Sequence, residues 1–347
     1  MVIDFNDLPP EMVLAIVSRL SYSDMCSCLR LNRKTRDIIS ANLQHVPRTW
    51  ITSISAEREG SARFKLSVSR NSFKSPKKNW ACIFNKNTAM FANTAGYDLA
   101  SFYSNEGFCG LKWDKANKST EFDVPSIGAA LCDHLYFILM RANVLCFKLL
   151  DLDGDDMNVV THALRTAKSK VSHLQLVVDR PVRPEIVSLI DATGAETVDV
   201  MLRDSRFFRK LIFRSQVLRK AWSVTIRASN ENHDVLDIDD DELLSLGADS
   251  IELFGVTGVT AQGARKFVQQ WLEGRRRISL VYFKHVGVYD VEELVGGIPR
   301  NGNVSPITIA RTGTEEELKL AWDSSEFRCF TDEADAEGDD EYPDLPP

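Results

Sequence analysis

Residues 250–280 read SIELFGVTGVTAQGARKFVQQWLEGRRRISL, and the fold is decided in this stretch. Ile251-Glu252-Leu253 alternates apolar, polar and apolar as a strand does, and Ile278-Ser279-Leu280 repeats the pattern at its far end. Between them Ala264, Phe267, Val268, Trp271 and Leu272 fall on one helical face, with Gly274 following as a C-cap candidate. Strand, helix and strand at this spacing predict a right-handed crossover joining parallel strands.

Working outward, the same triplet recurs. Phe147-Lys148-Leu149, Leu174-Gln175-Leu176, Val198-Asp199-Val200, Val224-Thr225-Ile226 and Ile307-Thr308-Ile309 complete a set whose starts are 27, 24, 26, 27, 27 and 29 residues apart. A strand signal at a nearly fixed period implies stacked supersecondary units. Helical connectors are expected at Val159 to Ala167, Pro184 to Ile190, Asp240 to Leu246, Val291 to Leu294 and Glu315 to Trp322. In each triplet the apolar flanks should face the helices and the middle residue the opposite side of the sheet. Lys148, Gln175, Asp199, Thr225, Glu252, Ser279 and Thr308 would then lie side by side. Such a row suits recognition of a protein surface; it equally suits the plain solvation of an open sheet face.

Towards the N-terminus, Leu8-Pro9-Pro10-Glu11 is a helix start, because proline is tolerated where the N–H has no intrahelical partner and glutamate favours the positive end of the dipole. Met12, Val13, Ile16, Val17 and Leu20 follow in one apolar stripe. A second short helix is expected after Ser23, a candidate N-cap, carrying Met25, Cys28 and Leu29, and a third over Arg33 to Ala41 with Ile38 and Ile39 inward. Three helices in some forty residues bury little surface, so their stripes want a partner. Leu-Pro-x-Glu, the spacing through Ile16 and Leu20, and then Asp24, Leu29 and Arg33-Lys34 together resemble the F-box, over residues 4 to 42. The resemblance implies that Leu8, Pro9, Ile16, Leu20 and Leu29 pack on a Skp-type adaptor, or support the surface that does. The repeat array in turn resembles a leucine-rich-repeat solenoid without the asparagine ladder, so its turns must be closed differently. The run from Leu243 through Ile251 and Trp271 to Leu280 is similar to the F-box-associated domain of expanded nematode F-box families.

The resulting organisation is a multidomain α/β chain: F-box at 1–42, β-rich middle segment at 43–140, leucine-rich-repeat-like parallel α/β solenoid at 141–330, and acidic disordered tail at 331–347. In the middle segment Arg63 to Val68 alternates as a strand, Trp80 to Trp113 mixes aromatics with turn residues as short β-hairpins do, and Asn71 to Asn79 reads as a loop.

Of the 49 acidic residues, eight lie beyond Arg328 with no basic residue among them; setting them aside leaves 41 acids against 42 bases. Global steering onto nucleic acid or anionic lipid is thus not indicated. The seven cysteines are odd in number and scattered, which is neither a disulfide framework nor a zinc pattern. No leader-like segment opens the sequence, and the apolar neighbourhood from Leu131 to Leu150 is too polar to span a bilayer, so a cytosolic or nuclear setting is expected and no membrane partner. Asp151-Leu152-Asp153-Gly154-Asp155-Asp156 has glycine at the wrong position for a calcium loop and is read as a turn. No metal, cofactor or catalytic constellation is expected, the six histidines lacking ligand spacing. One basic segment, Arg203, Arg206, Arg209, Lys210, Arg214, Arg219 and Lys220 with Phe207, Phe208 and Phe213 between, could track a phosphate backbone; phenylalanines facing a core and arginines facing water fit better.

The sequence therefore predicts a non-catalytic substrate adaptor of a Skp–cullin–F-box ubiquitin ligase, with a Skp-type adaptor, through it a cullin, and an unidentified protein target as partners. The alternative is a nucleic-acid-binding or scaffolding repeat protein using residues 203–220.

Overall fold

The computed structural model describes residues 8–20, 28, 33–42, 48–59, 63–72, 75–85, 88–93, 111–114, 119–123, 131–132, 135–136, 138–140, 142–179, 183–204, 206, 210–287, 289–298, 300–301, 305–311 and 313–331. The chain divides into two compact units, Met1–Leu174 with Ala192–Gly194, and Gln175–Asp191 with Ala195–Pro347.

The first unit opens with α1 (Pro10–Val17) and α2 (Arg33–Ala41). Pro9 takes the N-cap position of α1, its carbonyl accepting from the N–H groups of Met12 and Val13 at 3.0 and 3.1 Å. Strands β1 (Thr49–Glu59), β2 (Arg63–Ser72), β3 (Ser75–Asn85), β4 (Thr88–Asn93), β5 (Leu111–Asp114), β6 (Ser119–Asp123) and β7 (Ala142–Leu150) follow. Their order is β7-β1-β2-β3-β4-β6-β5, with β1 and β7 parallel and the remaining neighbours antiparallel. The expected loop at 71–79 is largely strand: Ser72 pairs with Ser75, Arg70 with Lys78 and Ser69 with Asn79. Lysine and serine weaken strand propensity only modestly, and cross-strand pairing decides.

After β7, Asp151 turns the chain with φ of 58°, and α3 (Gly154–Ala167) begins. The acidic run read as a turn is therefore also a helix start: Asp153 caps α3, accepting from Asp156 N–H at 2.9 Å, while the Asp156 carboxylate reaches back to Asp153 N–H. Arg48, just before β1, and Arg58, near its end, hold the two ends of this helix. Arg58 meets Asp156 at 2.8 Å and Asp153 at 3.2 Å, and Arg48 donates to the carbonyls of Ala167 and Lys168 where the dipole is negative. Strand β8 (Val171–Val178) comes next.

The second unit takes β8 from Gln175 and α4 (Pro184–Thr193) as far as Asp191, then β9 (Thr197–Leu202), a 3₁₀ turn at Lys210–Arg214, α5 (Gln216–Lys220), β10 (Ser223–Ala228), α6 (Asp240–Ser245), β11 (Ser250–Thr257), α7 (Ala261–Leu272), β12 (Leu280–His285), α8 (Val291–Val295), β13 (Arg300–Asn301), β14 (Ile307–Ala310), β15 (Glu317–Trp322) and β16 (Glu326–Phe330). As expected, β9, β10, β11 and β12 are parallel neighbours with helical connectors. From β12 onward the pairing changes: β16, β15, β14 and β13 follow in that order, each antiparallel to the last.

Two expectations are corrected here. Glu315 to Trp322 is not a helix: from Glu317 it is β15, with Leu318 and Leu320 fully buried at alternate positions. Its apolar residues at 318, 321 and 322 also fit a helical face, so periodicity alone could not arbitrate. The triplet Ile278-Ser279-Leu280 is not the strand registered with Ile251-Glu252-Leu253; the partners are Val281, Tyr282 and Phe283, three residues later.

The turns, lacking an asparagine ladder, are closed by the backbone. Glu196 carbonyl accepts from Trp222 and Ser223 N–H at 2.7 and 3.3 Å, Trp222 carbonyl from Asp249 and Ser250 at 3.0 and 3.1 Å, and Asp249 carbonyl from Ser279 and Leu280 at 2.7 and 3.3 Å. Each strand thus enters beside its predecessor through one shared acceptor, and these N–H groups at the turn are satisfied without a side chain.

At the start of α7, Thr260 is the N-cap, accepting from Gly263 N–H at 3.1 Å, and the Asp240 carboxylate accepts from Thr260 N–H and Oγ, both at 2.8 Å. A Cβ on Gly263 would sit 2.0 Å from Asp240 Oδ1. Gly263→Ala is expected to cost about 1 kcal/mol even though alanine is the better helix former, because the displaced carboxylate gives up the cap; urea denaturation checks it, and a stabilised variant would refute the packing.

Candidate functional site

Five apolar residues of the first helix read as one stripe, but the fold splits them. Val13 and Val17 are 1% exposed and Ile39 of α2 is fully buried, whereas Met12 and Ile16 are 52% and 39% exposed. The two pairs are each one helical turn apart, so two neighbouring rows result, one facing α2 and one facing away. Of the adaptor-contact residues, Ile16 lies in the outer row, Pro9 is exposed at its head, and Leu8 and Leu20 are half-buried. Leu29, with Ser23 and Met25, lies outside the described residues. Exposed isoleucine and methionine on adjacent turns form an apolar strip of the kind that a partner covers.

The polar sheet row is realised in part. Asp199, Thr225 and Glu252 are registered neighbours on β9, β10 and β11, each half-buried between fully buried flanks. Burial raises the Glu252 carboxyl above its ordinary range, the Arg227 guanidinium opposing and Asp199 reinforcing the shift. Gln175 is half-buried on β8, and Lys148 is exposed on β7, where its registered neighbour is Ser55 of β1. Ser279 precedes β12 and drops out of the row, its place taken by Tyr282. Thr308 is on β14, separated from β12 by β15 and β16, and pairs with Lys319. Both departures have one cause: the repeat period locates a strand signal only by residue count, while register follows pairing.

The same face carries a feature that the triplets did not reveal. Arg227 lies over the Phe254 ring at 4.1 Å, Phe254 tilts against Tyr282 at 5.2 Å, and Arg328 lies over Tyr282 at 5.0 Å. Tyr282 donates to Glu326 at 3.1 Å, and its phenol is pushed up to about 12 by burial and by the Glu326 charge. Alternation was a usable signal for Arg227 and Phe254, each two residues from an outward triplet residue, Thr225 and Glu252; Tyr282, three residues from Ser279, and the antiparallel neighbour Arg328 were not signalled by it.

Among the described residues of the basic segment, some cations are exposed and others are engaged within the fold. Arg203, Arg214, Arg219 and Lys220 are exposed, but Lys210 is held by Asp239 and Glu242, Arg206 is paired with Asp204 at 2.6 Å, and Arg219 donates to Phe213 carbonyl. Phe213 is buried in the core; Phe207, Phe208 and Arg209 lie outside the described residues. Asp153 and Asp156 are occupied in helix capping and with Arg58, and among the described residues no cluster of histidine, cysteine and carboxylate could hold a metal ion. Among them too, no helix is long and apolar enough to cross a membrane. The acidic stretch from 332 onward lies outside the described residues.

The family model of the F-box domain matches residues 5–44. No curated protein and no solved structure matches the chain. The N-terminal helices are therefore an F-box, the domain type that binds Skp-type adaptors, and the exposed row on α1 lies within it.

Proposed function

We propose that this chain is the substrate-recognition subunit of a Skp–cullin–F-box ubiquitin ligase, acting in the cytosol or nucleus without catalytic chemistry of its own. Leu8, Pro9, Ile16, Leu20 and Leu29 meet or support the adaptor. The parallel strands from Gln175 to His285, a leucine-rich-repeat-like array akin to the nematode F-box-associated domain, hold a protein target on the open face marked by Gln175, Asp199, Thr225 and Glu252. The chain works by proximity, raising the concentration of target lysines at the recruited conjugating enzyme. The observation carrying this reading is the outward Met12–Ile16 row in a domain matched as an F-box. Co-purification of a Skp-type adaptor with the intact chain, but not with a chain lacking residues 1–42, is the expected result; failure of both to bind would remove the ligase role.

A further inference from the structure

In the second unit a cavity of about 950 Å³ opens where β11 and β12 begin, a volume near the top of the range of about 300–1,000 Å³ usual for ligand pockets. Its inner wall is Trp271 and Gly274 at the end of α7, then Arg276, Arg277 and Ser279, with Asp249 beside them. Its outer wall is Arg311 with Thr314, Glu315, Glu316 and Glu317, and Thr331 closes the rim. This wall composition is polar and carries both signs of charge, unlike an apolar small-molecule pocket.

The charges divide into those already engaged and those left open. Arg311 is engaged: it lies over the Trp271 ring at 4.7 Å, donates to Trp271 carbonyl and pairs with Glu316. Arg276 is stacked on Phe267 at 4.0 Å and donates through Nε to Gln270 and through Nη2 to Leu244 carbonyl, yet its buried Nη1 has no hydrogen-bond partner. Burial brings that guanidinium down to about 10, with Cys329 and Asp249 opposing the shift. Arg277, Glu315 and Glu317 are exposed, and no ion pair joins them to any described residue. The cleft therefore holds Arg277 open on its inner wall and Glu315 and Glu317 open on its outer wall, while the Asp249 charge acts on the buried Arg276 guanidinium.

A ligand of one sign would be attracted by one set of these charges and repelled by the other, since like charges repel and opposite ones steer and orient. A free amino acid has both signs but cannot span a cavity of this size. An extended polypeptide can, because its side chains project at intervals of about 3.4 Å. We propose that this cleft docks an extended segment of a partner protein in which an acidic side chain lies a few residues from a basic one. The acidic group faces Arg277, and the basic group faces Glu315 and Glu317. The inference rests on the receptor reading only for why a polypeptide would be held there.

The test uses the full chain and fluorescein-labelled synthetic peptides of equal length on a serine-threonine background, followed by anisotropy at low ionic strength. One peptide carries Asp and Lys about three residues apart, one carries two Asp and one carries two Lys. The mixed peptide is expected to bind about tenfold more tightly than either other. Arg277→Glu and Glu317→Lys are each expected to weaken it about fivefold, and a mixed peptide of reversed order should prefer the double variant. Equal binding of all three peptides, best binding of a single-sign peptide, no binding, or indifference to both substitutions would each overturn the proposal. Adaptor co-purification on the same preparations separates the readings: adaptor bound without peptide sinks this site alone, and peptide bound without adaptor sinks the ligase role alone.

Discussion

Arg58→Ala is expected to destabilise the first unit by about 3 kcal/mol near neutral pH, the low end of the range for removing one partner from a buried ion pair. Arg58 is 16% exposed and the Asp156 side chain 7%, so the carboxylate left behind has little access to water. The loss should also depend on pH, in a direction fixed by Asp156. Burial, with the Asp153 charge beside it, raises that carboxyl to about 6 even against the pull of Arg58. A carboxyl raised in the folded state contributes stability that is complete below its unfolded value near 4 and is lost as pH rises through about 6. Without Arg58 the carboxyl rises further, and a proton can stand in for the guanidinium. The deficit of the variant should accordingly be largest above pH 6 and shrink towards pH 4. Urea denaturation of both chains at several pH values measures this. A deficit that is constant, or that grows on acidification, would mean that Arg58 acts through its aliphatic packing instead.

Replacing both Met12 and Ile16 by aspartate is expected to weaken adaptor binding by about thirtyfold or more, the equivalent of one interface hot spot of about 2 kcal/mol. The free chain should barely notice, since exposed substitutions away from special features stay within about 0.5 kcal/mol. Val13→Asp provides the contrast, because Val13 is 1% exposed and its change should unfold the helix pair whether or not the adaptor is present. Calorimetric titration with adaptor and a thermal melt on each variant distinguish the two. If the Met12/Ile16 variant binds normally, the outward row is not the contact surface, although the F-box match would stand.

What was legible in the sequence was whatever depends on short-range pattern. The strand character of Val198-Asp199-Val200, Val224-Thr225-Ile226 and Ile251-Glu252-Leu253 followed from alternation, and their flanks are fully buried. Helix α7 followed from its single apolar face and from Gly274, which indeed adopts φ of 70°. The F-box followed from a motif whose residues lie within forty positions. These features are local because one strand or helix presents its own period to whatever surrounds it.

Tertiary structure alone decided the rest. The run Ile278 to Phe283 is apolar enough to accept two registers, and pairing with β11 selected Val281-Tyr282-Phe283, which put Tyr282 where Ser279 had been expected. Residues 315–322 could satisfy either a helical or an extended period, and pairing with β14 and β16 made them a strand, carrying Thr308 away from the polar row. Met12, Val13, Ile16 and Val17 are equally apolar in sequence; the approach of α2 buries the second and fourth and leaves the first and third for a partner. The open charges of the cleft likewise come from residues far apart in the chain, Arg277 on one side and Glu315 and Glu317 on the other. In each case the deciding interaction joins distant segments, whose pairing no local period encodes.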